Sequence, residues 1–240
     1  MKKNIFWAML LPAFLFLGLI VACDDNENQT VNLTINGEVG TQPFQFLTDY
    51  VSSTGHRYYF TKLSFYISNV KLVRADGTKE LLKDVELFSF KTPVTISGEV
   101  PRDNYTAIEF GIGLDSLQNA GNPADFDPEH PQSYANAPYW GWASKYIFAQ
   151  VEGKSASNTT DAPTQNFLYH TGLDSLYRIV TISKAIEVGA DKVNADITMK
   201  VDKLFSGSYI IDMFNEPLSQ TTDNYDLARR ITDNFGTCFE

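Results

Sequence analysis

Lys62-Leu63-Ser64-Phe65-Tyr66-Ile67-Ser68-Asn69-Val70-Lys71-Leu72, set within the longer run Tyr58 to Val73, decides the fold class. Leu63, Phe65 and Ile67 alternate with Ser64, Tyr66 and Ser68, so one side of an extended chain is apolar throughout. The run is long for one straight strand and predicts a bulge or bend near Ser68-Asn69. Asp76-Gly77 is a hairpin turn signal, and Glu80 to Phe90 returns as the partner. Outward from this hairpin, the same period recurs. It appears in Val31, Leu33 and Ile35, in Val94-Thr95-Ile96, in Ala107 to Ile112, in Tyr146 to Val151, in Phe167 to His170, in Arg178 to Ile182, and in Ala195 to Val201. Asp223 to Asn234 carries Leu227, Ala228 and Ile231 at helical spacing. The pattern predicts an all-β fold, an antiparallel β-sandwich of about nine strands with a short C-terminal helix. Asp115 to Ser144 breaks the pattern with Asn, Pro and Asp. Its aromatic end, Tyr134, Tyr139, Trp140 and Trp142, predicts a long ordered loop that has a function.

The 19 Lys and Arg against 29 Asp and Glu, a net charge of −10, argue against nucleic acid, which needs a cationic face. A hydrophobic fraction of 43% excludes a disordered chain. Lys2 and Lys3 precede an apolar run from Ile5 to Ala22 that ends at Cys23. Ile20-Val21-Ala22-Cys23 resembles a bacterial lipobox. The implied organisation is a signal peptide over 1–22, lipid on Cys23, an acidic tether over 23–30 and one domain over 31–240. Asp24-Asp25-Asn26-Glu27 resembles the surface-export signal of Bacteroidetes lipoproteins, which implies the outer membrane or cell surface. Removing residues 1–22 takes away two lysines and leaves −12, so acyl chains rather than charge must hold the membrane. Cys238 is then left alone, with no disulfide to make. Two residues from the end, it is expected to lack fixed surroundings and a role.

Motifs for turnover are sparse. There is no G-x-S-x-G, phosphate loop or CxxC pair. The two Gly-Leu-Asp-Ser-Leu copies, 113–117 and 172–176, do not form nucleophile elbows, and each Asp is expected to pin a turn after a strand. Asp-Ser-Leu also resembles a short O-glycosylation acceptor at Ser116 and Ser175. Converging carboxylates, as in a hydrolase, find no particular pair to support them. Among the histidines, His56 beside Gly55 is expected to be solvated. His130 lies in the long loop and His170 at a strand end. Two imidazoles meeting at a point would suit copper, zinc or nickel, and a nearby indole tilts the choice toward Cu(I). Trp140 and Trp142 share a face if extended. They can cap the core, contact a metal, or form a carbohydrate- or protein-binding platform with Tyr139 and Tyr134.

The strand quoted first looks like the "FYISN" strand of the MbnP-like family, named for a periplasmic copper-binding protein associated with methanobactin. Phe110-Gly111-Ile112-Gly113-Leu114-Asp115 resembles its "iGvD" block. Tyr139-Trp140-Gly141-Trp142-Ala143-Ser144-Lys145-Tyr146-Ile147-Phe148, with Val151-Glu152-Gly153, resembles its "YWGW..GY.F…EG" block. Phe167 to Gly172 resembles "f.yHlG". Two departures stand out. Ala137-Pro138 replaces a common Gly-Met, and Lys145 replaces a glycine. The resemblance spans about residues 31–239. It implies a β-sandwich and a copper site built on histidines; together with the lipobox and the sparse motifs for turnover, the expectation is a non-catalytic, lipid-anchored envelope protein that binds or handles copper. The resemblance further implies His170 as a ligand, with His130, outside any matched block, as a second. Trp140 or Trp142 is then the candidate for oxidation to kynurenine by a di-haem peroxidase-like partner.

Overall fold

Residues 27–92, 95–141 and 144–240 are described by the computed structural model. The predicted signal peptide, Cys23, residues 24–26 of the acidic tether, Val94 and Trp142 lie outside the described residues. Among the described residues thirteen strands follow in order: β1 (Asn28–Val39), β2 (Gln42–Pro43), β3 (Tyr50–Val51), β4 (Arg57–Arg74), β5 (Lys79–Ser89), β6 (Ile96–Pro101), β7 (Asp103–Ile112), β8 (Tyr139–Trp140), β9 (Lys145–Ser155), β10 (Gln165–Gly172), β11 (Arg178–Val188), β12 (Val193–Lys200) and β13 (Leu218–Gln220). Three α-helices among the described residues join them, α1 (Ser116–Ala120), α2 (Lys203–Ser206) and α3 (Tyr225–Phe235). Eight of the nine predicted strands are present where expected; the ninth, read at Val94 to Ile96, is found one step later as β6, which begins at Ile96. The four extra ones, β2, β3, β8 and β13, are two or three residues long and leave no readable period. β1 begins at Asn28, three residues ahead of Val31, where the sequence reading starts the domain.

The fold is an all-β sandwich. In the smaller sheet, β1 lies between β12 on one edge and β6 and β2 on the other. The larger sheet contains the remaining strands, with β8 as a short ribbon beside β9. Val31, Leu33 and Ile35 of β1 face Leu63, Phe65 and Ile67 of β4 across one apolar core. Most strand pairings are antiparallel, as expected, with two exceptions. β1 pairs with β12 in parallel, and so does β10 with β13. Alternation reveals which face of a strand is buried but not the direction of its neighbour.

β4 is the organising strand. Ser64 and Phe65 pair with β5 on one edge and β9 on the other, whereas Ile67 and Ser68 pair with β5 and β7. A strand has only two edges, so β9 and β7 lie end to end along the same one. The junction falls at Tyr66, whose carbonyl accepts the Gly113 N–H at 2.9 Å. Gly113 turns away with φ +94°, and a Cβ there would stand 2.4 Å from the Phe148 ring, so no other residue fits without strain. The predicted bulge is found just beyond: Asn69 has φ +50°, and the registers to β5 and β7 shift around it. After it, Val70 and Leu72 take over the core-facing positions from Leu63, Phe65 and Ile67.

The chain released at this fork is the predicted long loop, and its described residues, 115–141, lie over the outer face of the larger sheet. Asp115 caps α1 by accepting from the Leu117 and Gln118 N–H groups, and Gln118 returns a bond to the Asp115 N–H. Tyr66 and Tyr146 stand up from the sheet and donate to the Pro131 and Gln132 carbonyls at 3.0 and 2.9 Å. Burial pushes both phenols above their ordinary range, which keeps them as donors. A second, small apolar cluster of Tyr66, Val85, Leu114, Tyr146 and Phe148 fills the space beneath.

Candidate functional site

Rows of residues directly opposite one another share a sheet face. One such row on the outer face is polar across five strands: Ser89, Ser64, Gln150, His170 and Gln220. Its inward neighbours, Phe65, Ala149 and Tyr169, belong to the main core, which fixes the row's outward direction. His170 is the one ring in the row. Its carbonyl accepts from Thr221 Oγ1 at 2.8 Å, tying the end of β10 to the chain after β13.

Glu152 lies one step diagonally from His170, on β9 opposite Leu168. Its Oε1 is 2.8 Å from His170 Nε2. The bond to His170 holds the carboxyl below its ordinary value against the effect of burial, with help from the charges of His170 and Lys62. The close fit depends on Gly153. A Cβ there would lie 2.1 Å from the Tyr59 carbonyl and 2.4 Å from the Phe167 ring, so β9 seats tightly between β4 and β10.

β8 brings Trp140 to the same place. Its two residues pair with Tyr146 and Lys145, and the half-buried Trp140 ring lies 5.5 Å from the His170 ring, centroid to centroid, tilted by 50°. The turn back into β9 puts Lys145 at φ +64°, the left-handed region that favours glycine. This accounts for the glycine found at that position in the resembling sequences.

His170 is 9% exposed, and its Nδ1 is buried with no hydrogen-bond partner. An imidazole nitrogen left so costs about 1–3 kcal/mol relative to a satisfied one. Among the described residues the other unpartnered buried side-chain atoms are all serine hydroxyls, so Nδ1 is the strong donor of the set. Three shallow depressions of about 410, 350 and 260 Å³ run along this outer face. Ser89 lines the first two and Glu152 the last two, so the carboxylate is reachable from solvent.

Other predicted residues have different surroundings. His130 stacks on Phe126 at 4.3 Å, and its Nδ1 accepts the Gln132 N–H at 3.1 Å. It fastens the loop and shares no described partner with His170. Tyr139, pointing the other way from Trp140, packs edge-on against Tyr146 and Tyr134 over the small cluster, and Tyr134 is 65% exposed. The solvated position expected for His56 is corrected. It is buried, with Nδ1 donating to the Ala156 carbonyl at 2.9 Å, Nε2 3.1 Å from Asp212, and its ring stacked on Phe214. Cys238 likewise has fixed surroundings. It is wholly buried in the main core behind α3, and desolvation pushes its thiol up, away from reactivity.

Both Gly-Leu-Asp-Ser-Leu copies close strands as expected. Asp115 caps α1, and Asp174 opens the turn after β10. Asn119 joins the two by donating to Asp174 Oδ1 at 2.7 Å and accepting the Tyr146 N–H at 3.3 Å. Glu152 is the residue that sequence reasoning missed. Polar alternation along β9 (Gln150, Glu152, Lys154) carried a signal for its face, though not for its partner.

The sequence model of the MbnP family matches residues 28–223, and the chain belongs to that family. Among solved structures, MbnP from Methylosinus trichosporium is similar, with a TM-score of 0.53 at 13% identity. The likeness covers 77% of this chain and 80% of that one, and identity this low shows a shared fold. No curated protein sequence matches the chain.

Proposed function

We propose that the chain is a lipid-anchored, non-catalytic copper-binding protein of the outer membrane or cell surface, its ion held at the outer face of the larger sheet by His170 with Trp140 alongside. The observation that carries this reading is the buried, unpartnered Nδ1 of His170 beside an indole. Family membership points to copper. The donor chemistry fits the reduced ion, because Cu(I) accepts imidazole nitrogen and is attracted by a π face. When bound, the ion supplies a soft acceptor for the Nδ1 lone pair. The protein's residues do the rest: Glu152 orients the ring, Thr221 fixes the strand end, and the ordered loop with β8 closes Trp140 over it. Among the described residues no group of three His, Cys, Asp and Glu forms a cage for a harder cation. His130 is outside the proposed site, because its Nδ1 already accepts from Gln132.

The test is copper content after anaerobic Cu(I) loading and removal of excess metal. The parent chain and His130→Ala should retain copper, and His170→Ala should lose it. Equal copper in parent and His170→Ala would remove the proposal. The anchor is tested separately: Cys23→Ser should move the protein from the membrane to the soluble fraction. Intact mass of the native protein reads whether Trp140 or Trp142 has been oxidised by a peroxidase-like partner, and peptide mapping tells which.

A further inference from the structure

The two ring nitrogens of His170 have opposite surroundings. Nε2 faces a carboxylate oxygen at 2.8 Å, and Nδ1 faces no hydrogen-bonding group at all. An ionised carboxylate only accepts, so in the neutral ring the proton sits on Nε2 and the lone pair on Nδ1. The tautomer is therefore chosen by Glu152, a residue on a neighbouring strand that the sequence pattern does not connect to His170.

Resting on the copper reading above, we propose that Glu152 is the positioning residue of the metal site: it selects Nδ1 of His170 as the donor atom and raises that nitrogen's basicity. A carboxylate behind a ligating imidazole fixes ring orientation and enriches the donor. Three features of this chain build that arrangement. Gly153 seats β9 closely enough for the diagonal contact. Lys62, opposite Glu152 on β4, places a cationic residue beside the carboxylate. The Thr221 hydroxyl on the His170 carbonyl holds the backbone from which the ring projects. Glu152 also lines two of the surface depressions, so the anchoring carboxylate, rather than the donor nitrogen, is the solvent-facing end of the pair.

Two measurements test the assignment on the full mature chain. Long-range ¹H–¹⁵N correlation of the copper-free protein should show His170 in the Nε2–H tautomer, with Glu152→Ala losing that preference and Glu152→Gln keeping most of it. Competition with a chromophoric Cu(I) chelator should show affinity falling by about 10- to 100-fold in Glu152→Ala and by less in Glu152→Gln. Unchanged thermal unfolding of both variants would separate positioning from general damage. An Nδ1–H tautomer in the parent, or unchanged Cu(I) affinity in Glu152→Ala, would overturn the role of Glu152 while leaving copper binding in place. A parent chain that binds no Cu(I) would instead overturn the copper reading, and the tautomer spectra would still report whether Glu152 governs the ring.

Discussion

The two faces of β4 divide the molecule's labour. On the inner face, Leu63, Phe65, Ile67, Val70 and Leu72 are buried against the smaller sheet in one apolar core. On the outer face, Lys62, Ser64, Tyr66 and Ser68 meet a polar row, a small apolar cluster and a long loop held by side-chain bonds to carbonyls. The inner face gains from area removed from water, which is non-directional and tolerant. The outer face is built from directional contacts, and one of them, at His170 Nδ1, is left open. Stability belongs mainly to the first and specificity to the second.

The largest test of this division is Phe65→Ala. It should destabilise the protein by about 3–5 kcal/mol in urea titration, as deletion of a large core ring does. Asn119→Ala probes the outer face's scaffold. It strands Asp174 and the Tyr146 N–H, and it should cost about 1–3 kcal/mol. An effect as large as that of Phe65→Ala would erase the contrast. His170→Ala sharpens it. Removing a ring with an unsatisfied buried nitrogen should shift the unfolding free energy of the copper-free chain by no more than about 1 kcal/mol. Lys145→Gly should stabilise by about 0.5–1 kcal/mol, because it relieves a left-handed residue at the turn that carries Trp140. A loss of stability would mean that the Lys145 side chain itself matters.

The smallest expected effect is a pH slope. Burial raises the Asp115 carboxyl, but the bonds from Gln118, Asn69 and Leu117 outweigh it and hold the group below its ordinary 3.8. Its contribution is therefore complete above pH 3.8 and is lost as pH falls through the lower folded value. Asp115→Asn should flatten acid denaturation there. An unchanged profile would place the loop's anchorage elsewhere.

Much of the inner face was legible because burial on one side imposes period two, and Leu63, Phe65 and Ile67 obey it up to the bulge at Asn69. Strand direction was not legible, since parallel β12 and β13 bury the same alternation as antiparallel strands would. His56 misled because a Ser/Thr-rich turn looks exposed until a distant segment, Asp212 to Phe214, covers it. At the site, family blocks marked His170 and Trp140, and the structure brings their rings together. Glu152 escaped because its partnership depends on the register across the β9–β10 hairpin. The connecting segment 156–164 is nine residues long, and its turn at Asn158 is local to the loop, so the loop sequence does not set that register.

The pairing of β1 with β12 imposes an order of assembly. Asn32 donates to Asn194 across 162 positions of sequence, and the ladder runs from Val31–Val193 to Glu38–Lys200. A chain emerging N-terminus first must therefore carry one edge of its first strand bare until residue 193 and beyond have followed. Contacts this remote close slowly, and an open edge meanwhile invites wrong neighbours. Nothing short of nearly the full length can mature, so premature termination anywhere before β12 should yield material for proteases rather than a smaller working domain.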